Sequence, residues 1–122
     1  MRLLRLLFDG RGRIGRTGYF AGLLVLALTG AAAAGVYYAL PATTRAPPFG
    51  PAYALLGLFW FLAAFCGWLA LSCKRLRDMD QSPWWTGLIF MPFVGFGAVT
   101  MFLLLLPGTD GPNRYGPSPQ SA

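Results

Sequence analysis

The stretch that decides the fold is residues 52–73, AYALLGLFWFLAAFCGWLALSC, which is followed at once by the charged segment 74–78, KRLRD. None of its 22 residues carries a charge. About 20 helical residues, each rising 1.5 Å, are enough to cross the ~30 Å hydrocarbon core of a bilayer. The stretch therefore predicts a helix that spans a membrane and ends at a charged interface.

Two further uncharged stretches lie on either side of the first, at residues 19–40 and 84–106. Over all 122 residues, only 11% are charged and 56% are hydrophobic, whereas an ordinary soluble domain has about 25% charged residues. We therefore expect an all-α integral membrane protein, formed as a single membrane domain with three transmembrane helices at 19–40, 52–73 and 84–106.

The polar residues are confined to three segments outside these stretches: an arm at 1–18, a loop at 74–83 and a Gly/Pro-rich tail at 107–122. On a helix, Leu3, Leu4, Leu7 and Phe8 of the arm share one face and its charged residues share another. This pattern predicts a short N-terminal amphipathic helix in the headgroup plane. The tail is rich in turn-forming residues.

Basic residues are distributed unevenly among these segments. The arm has five and the loop has three, 5 + 3 = 8, whereas Arg45 and Arg114 are the two on the other side of a three-span protein. The positive-inside rule then places the N-terminus in the cytoplasm and the C-terminus outside. The alternative is a re-entrant third segment, broken near Pro92 and Gly95, which would return the tail to the cytoplasm.

Small residues are expected to bring the first two spans together. Residues 30–35 (GAAAAG) form one candidate face, and a stripe at three- and four-residue steps that includes Cys66 and Cys73 forms the other. Seven helical residues separate the two cysteines by about 10 Å, too far for a disulfide. We therefore expect both cysteines to be small buried packing residues.

Composition excludes several kinds of chemistry. The chain has no His, which excludes His-based acid–base catalysis and zinc sites that use His. The three apolar stretches have no ionisable groups of the kind that mark proton or ion pathways. Asp78 and Asp80 would diverge on a helix, so the two carboxylates do not form a catalytic pair. We expect no catalytic residues, no metal and no cofactor.

The expected working surface is the basic cytoplasmic face, where arginines and two tryptophans could hold anionic lipid headgroups or an acidic partner segment. Its residues are Arg13, Arg16, Arg75, Arg77, Trp84 and Trp85. The sequence thus predicts a small non-enzymatic accessory or scaffold protein, with membrane lipids, a second copy or another membrane protein as partners. Nucleic acid is not expected, since lipid attraction and topology account for the Arg–Gly run of the arm.

Two alternative functions remain open. Several copies could assemble into a channel or a transporter component. A membrane enzyme acting on lipid headgroups would have to use Asp78, Asp80 and Asn113, and no nucleophile–base pair is visible among them.

Three motifs, one in each polar segment, are similar to those of a known family. They are Gly12-Arg13-Ile14-x-Arg16-x-x-Tyr19-Phe20, then Arg75-Leu76-x-Asp78 with Ser82-x-Trp84-Trp85, and Gly108-Thr109-x-Gly111-x-Asn113-Arg114-Tyr115-Gly116-x-x-Pro119. The chain resembles the domain of unknown function 805 family, the YhaH-like bacterial inner-membrane proteins. The resemblance implies a multi-pass protein of the bacterial inner (plasma) membrane and a structural role for Asp78, Ser82, Asn113, Arg114 and Tyr115. It implies no activity.

Overall fold

The computed structural model describes residues 12–45, 50–91 and 95–119. Within these ranges the chain is helical and has no β-strand. The helices are α1 (Arg16–Ala39), the short α2 (Ala42–Arg45), α3 (Gly50–Asp78), a 3-10 helix (Pro83–Phe90) and α4 (Gly95–Leu105). The all-α prediction is therefore confirmed for the described residues. The predicted amphipathic helix of the arm falls on residues 1–11 and lies outside them.

Helices α1 and α3 are the two described helices that are long and apolar enough to cross a membrane. With 24 and 29 residues, they extend for about 36 and 44 Å at 1.5 Å per residue. They contain the predicted spans 19–40 (all but its last residue) and 52–73, and α3 continues to Asp78. Length and hydropathy alone thus located the two long apolar helices that are candidates for membrane spans.

Glycines of α1 bring the two long helices close together. A Cβ atom on Gly22 would lie 2.7 Å from a Leu71 methyl carbon, and one on Gly30 would lie 2.6 Å from the Trp60 ring. Gly30 belongs to the predicted small-residue face, but the other residues of that face, 31–35, are exposed. The contact at Gly22 was not predicted. The expected burial of both cysteines is wrong, because Cys66 is exposed and Cys73 is only partly buried.

The third apolar stretch is not one continuous helix. It forms the 3-10 helix, which begins with Pro83, and then α4, which starts at Gly95. Gly95 has a φ angle of +39°, a backbone conformation that interrupts a right-handed helix and that other residues rarely adopt. The expected transmembrane helix at 84–106 is therefore replaced by two short segments. Pro92, the other expected breaking point, lies outside the described residues.

Helix α4 runs parallel to α3, so the chain turns back after the 3-10 helix. Phe96 packs against Trp68 with ring centroids 4.5 Å apart, and seven residues further along both helices Arg75 contacts Leu103. The 3-10 helix therefore leads away from the end of α3, and α4 returns to it. We call this end of the molecule, where α1 begins and α3 and α4 end, the charged end.

Candidate functional site

Asp78, the last residue of α3, lies between two arginines at the charged end. Arg13 contacts its carboxylate Oδ1 through Nε at 3.2 Å and Nη2 at 3.1 Å, and Arg75 donates to Oδ2 from one turn earlier on α3. The side chains of Arg13, Arg75 and Asp78 are 2%, 0% and 5% exposed. With Thr109 and Asn113 of the tail, these residues form what we call the charged junction.

Arg75 joins α3 to the end of α4. Its Nε donates to the carbonyl oxygen of Leu103 at 2.9 Å, and its Nη2 donates to that of Leu106. Its Nη1 is 3.5 Å from the carbonyl oxygen of Ile14. The last carbonyl groups of a helix lack partners within the helix, so the guanidinium of Arg75 satisfies the C-terminus of α4 while it also pairs with Asp78.

Arg13 joins the arm to the tail. Its Nη1 donates to the carbonyl oxygens of Gly111 at 2.8 Å and Gly116 at 3.0 Å. Its Nη2 donates to the carbonyl oxygen of Thr109 at 2.9 Å and to the Thr109 hydroxyl at 3.1 Å. The tail thus lies at the same end as the arm. This contact agrees with the re-entrant alternative for the third segment and not with a third span that would carry the tail to the end opposite the arm.

The tail also caps the C-terminus of α3. The backbone N–H and the hydroxyl of Thr109 donate to the carbonyl oxygen of Asp78 at 2.8 and 2.9 Å. Asn113 donates from Nδ2 to the carbonyl oxygen of Arg77 at 2.8 Å and to the Thr109 hydroxyl at 2.9 Å. Asn113 and Thr109 therefore both cap the C-terminus of α3. The sequence places Thr109 within the tail motif but does not mark it as a contact residue.

Gly108 lets the tail backbone pass directly over the Asp78 carboxylate. A Cβ atom at this position would clash with Oδ2 and would lie 2.8 Å from Cγ of Asp78 and 3.2 Å from Nη1 of Arg75. With any residue other than glycine, either the tail or the Asp78 side chain would have to shift. The Gly108-Thr109 pair in the tail motif is the sequence signal that could have identified this contact.

The charge of the junction has contributions from helix ends as well as from side chains. Two arginines and one aspartate leave one excess positive charge among side chains that are almost fully buried. The C-termini of α3 and α4 meet here, and each carries a partial charge of about −0.5. These two helix ends oppose the excess, while the start of α1, which lies at the same end and carries a partial positive charge, adds to it. The junction is therefore a buried structural centre that joins arm, α3, α4 and tail.

The remaining predicted site residues lie outside the junction. Arg16 is exposed, and it borders a cavity of about 140 Å³ between the start of α1 and the tail. Arg77 and Arg114 have their guanidinium carbons 5.8 and 4.8 Å from the centre of the Tyr115 ring. Arg114 also pairs with Asp80 at 3.2 Å. Asp78 and Asp80 therefore have different arginine partners and do not form a carboxylate pair.

The two predicted tryptophans lie on the surface just after α3. Ser82 caps the N-terminus of the 3-10 helix, and its hydroxyl accepts a hydrogen bond from the backbone N–H of Trp84 at 3.4 Å. Trp84 is 87% exposed, and Trp85 is exposed as well. The six predicted binding residues thus divide into two groups: Arg13 and Arg75 are inside the junction, and Arg16, Arg77, Trp84 and Trp85 are outside it. Within the described ranges, no group of three or more side chains could hold a metal ion.

Two polar contacts between helices were not expected from the sequence. The buried hydroxyl groups of Tyr19 in α1 and Ser72 in α3 are 3.4 Å apart. The indole Nε1 of Trp68 in α3 donates to the Thr100 hydroxyl in α4 at 3.0 Å. Tyr19 belongs to the first of the three motifs, whereas Ser72, Trp68 and Thr100 stand in uncharged stretches whose hydropathy does not distinguish them from their neighbours.

Two long apolar helices, a folded-back apolar segment and a charged junction at one end define a small helical membrane protein. The chain belongs to the family described as protein of unknown function (DUF805), whose sequence profile matches residues 7–117. This confirms the family resemblance found in the three motifs.

Among similar proteins, the inner membrane protein YhaI of Escherichia coli (strain K12) is 34% identical over 113 residues, which cover 93% of this chain and 86% of YhaI. The inner membrane protein YhaH of the same strain is 36% identical over 66 residues, or 54% of each chain. No solved structure matches the chain. These relatives support an inner-membrane location for this chain.

Proposed function

We propose that this chain is a non-enzymatic inner-membrane protein of the accessory or scaffold type, whose charged end faces the cytoplasm and binds anionic lipid headgroups. The observation that carries the proposal is the division of the basic residues at this end. Arg13 and Arg75 are occupied by Asp78 and by backbone carbonyls, whereas Arg16 is exposed. The junction thus supports a surface on which other basic groups can meet lipid.

The orientation rests on the distribution of charge between the two ends. In the described ranges, six of the seven basic residues belong to the charged end, and Arg45 in α2 is the seventh; the six are Arg13, Arg16, Lys74, Arg75, Arg77 and Arg114. Three aspartates at the same end reduce the net charge to 6 − 3 = +3. An excess of Lys and Arg is typical of the cytoplasmic side.

The lipid surface would combine basic and aromatic groups. Arg16 precedes the apolar part of α1, and Arg77 lies in the last turn of α3. Trp84 and Trp85 follow a few residues later and project from the molecule, as tryptophans do at the headgroup level. Each basic residue near an anionic membrane surface contributes about 1 kcal/mol of attraction. Arg16 and Arg77 together would therefore contribute about 2 kcal/mol.

The test measures lipid binding by native mass spectrometry of the purified protein with phosphatidylglycerol or phosphatidylcholine. A loss of about 1 kcal/mol corresponds to roughly a five-fold loss of affinity. We expect this loss of phosphatidylglycerol affinity for Arg16→Gln, and a larger loss when Arg77→Gln is added. Arg45→Gln, at the other end, is the matched control and should bind as the parent does. Equal affinity for both lipids, or equal losses for Arg16→Gln and Arg45→Gln, would contradict the proposal.

A further inference from the structure

We propose that the third apolar segment, residues 83–106, is a re-entrant hairpin that enters and leaves the membrane at the charged end, and that the charged junction holds it in this arrangement. The inference concerns how the chain crosses the membrane and does not depend on lipid binding. It rests on the length of the two short helices, the level that they reach along α3 and the contacts that return the chain to the junction.

Each of the two helices of the hairpin is about half as long as a bilayer core is thick. The 3-10 helix has eight residues and α4 has 11. At rises of about 2.0 and 1.5 Å per residue, both extend for roughly 16 Å. The hydrocarbon core is about 30 Å thick. Neither helix can cross it alone, and because α4 runs back toward the charged end, the two do not add up to a crossing.

The position of the hairpin along α3 also indicates how deep in the membrane it turns. Phe96, near the start of α4, packs against Trp68, and Trp68 is ten residues from the end of α3 at Asp78. Ten helical residues rise about 15 Å. Helix α3 continues for 18 residues beyond Trp68, to Gly50, or about 27 Å. Measured from Cys73, where the uncharged stretch ends, Trp68 is five residues or about 8 Å deep. The hairpin therefore turns inside the membrane, on the charged-end side of its middle, while α3 passes through it.

Several polar groups of the described residues on either side of the turn have partners within the protein, as hydrocarbon surroundings require. The backbone N–H of Met91 donates to the carbonyl oxygen of Leu88 at 3.0 Å, and that of Gly95 donates to Met91 at 3.2 Å. The Thr100 hydroxyl, which accepts from the Trp68 indole, donates to the carbonyl oxygen of Phe96 at 2.7 Å. These bonds make a bend at membrane depth compatible with the bilayer.

The junction is what distinguishes the hairpin from a full crossing. An uninterrupted helix over the 23 uncharged residues 84–106 would extend for about 35 Å and could place the tail on the opposite face. In the folded-back form, Arg75 binds the carbonyl groups at the end of α4, and Arg13 binds the tail. Asp78 holds both arginines in place. Loss of Asp78 should therefore release the tail from the charged end.

The experiment maps which segments share a membrane face. In full-length protein with Cys66→Ala and Cys73→Ala, single cysteines are introduced at the exposed positions Thr17→Cys, Thr43→Cys and Pro117→Cys. A membrane-impermeant maleimide is applied to right-side-out and inverted vesicles. We expect Pro117→Cys and Thr17→Cys to be labelled in the same vesicles and Thr43→Cys in the others. Labelling of Pro117→Cys together with Thr43→Cys would overturn the hairpin.

The role of the junction is tested in the Pro117→Cys protein with added substitutions. With Asp78→Asn we expect part of the protein to be labelled in each type of vesicle. The control Asp80→Asn, two residues away in an exposed ion pair, should keep one-sided labelling. Thr109→Val removes one hydroxyl and no charge from the junction. The fraction of this variant that is labelled on the unexpected side should be smaller than that of Asp78→Asn. One-sided labelling of both Asp78→Asn and Thr109→Val would show that the junction does not hold the hairpin.

Discussion

Replacement of Asp78 by asparagine exchanges one side-chain oxygen for a nitrogen. It should be among the single substitutions that lower the free energy of unfolding of this protein the most. Asn keeps the size of the side chain but removes the carboxylate that pairs with both Arg13 and Arg75, whose side chains are almost fully buried. Removal of one partner from a buried ion pair costs about 3–5 kcal/mol, because the other charge stays buried without compensation. Here two charges lose the same partner, so we expect the Asp78→Asn cost to reach at least the lower value.

Asp80→Asn provides a control of the same chemistry two residues away. Asp80 pairs with Arg114 at 3.2 Å, but these side chains are 43% and 57% exposed, and an exposed pair contributes only about 0–1 kcal/mol. Unfolding of both variants in mixed detergent micelles, followed by far-UV circular dichroism, gives their free energies of unfolding. A difference of less than 1 kcal/mol between the two variants would refute the electrostatic account of the junction.

Two further predictions test the contacts around α4 by the same unfolding measurement. Gly108→Ala places a methyl group against the Asp78 carboxylate and should lower the free energy of unfolding by about 1–3 kcal/mol through overpacking. The control Gly97→Ala, whose methyl group meets open space within α4, should be neutral or stabilising. Equal effects of the two substitutions would contradict the clash at Gly108. Trp68→Phe removes the indole donor to Thr100 and should cost about 0.6–1.7 kcal/mol, with no additional cost when Thr100→Val is also present.

The two long helices could be predicted because the signal for them is local. Residues 19–40 and 52–73 are uncharged over enough length to cross hydrocarbon, and α1 and α3 contain nearly all of them. The end of α3 was less predictable. It continues five residues past Cys73, through Lys74 and Arg75, to Asp78. These charged residues stay helical and buried at the charged end, and the partners that allow this for Arg75 and Asp78 are distant in sequence.

The third stretch shows where hydropathy is insufficient. Residues 84–106 have the length and composition of a span, yet they form a 3-10 helix and a short α4. Hydropathy measures whether a segment prefers hydrocarbon and says nothing about the direction in which it runs there. The direction depends on the left-handed backbone conformation of Gly95, on the packing of Phe96 against Trp68 and on the bonds from Arg75 to the end of α4.

The arginines were identified as important, but the reason for their importance depended on the fold. Arg13, Arg16, Arg75 and Arg77 are alike in sequence, each being a base next to an apolar stretch. In the structure, Arg13 and Arg75 are buried against Asp78, while Arg16 is exposed. A basic residue at an interface can face lipid or a carboxylate from elsewhere in the chain, and the local sequence is the same in both cases.

By itself, the sequence determined that this chain is a helical membrane protein with its charges concentrated in three short segments, because the transfer of a residue to hydrocarbon depends on that residue and its near neighbours. Only the tertiary structure decided which charges meet. Arg13 and Asp78 are 65 residues apart, and Thr109 is 31 residues beyond Asp78. Their contact requires the third apolar segment to turn back, and that turn is decided by packing and hydrogen bonds between distant parts of the chain.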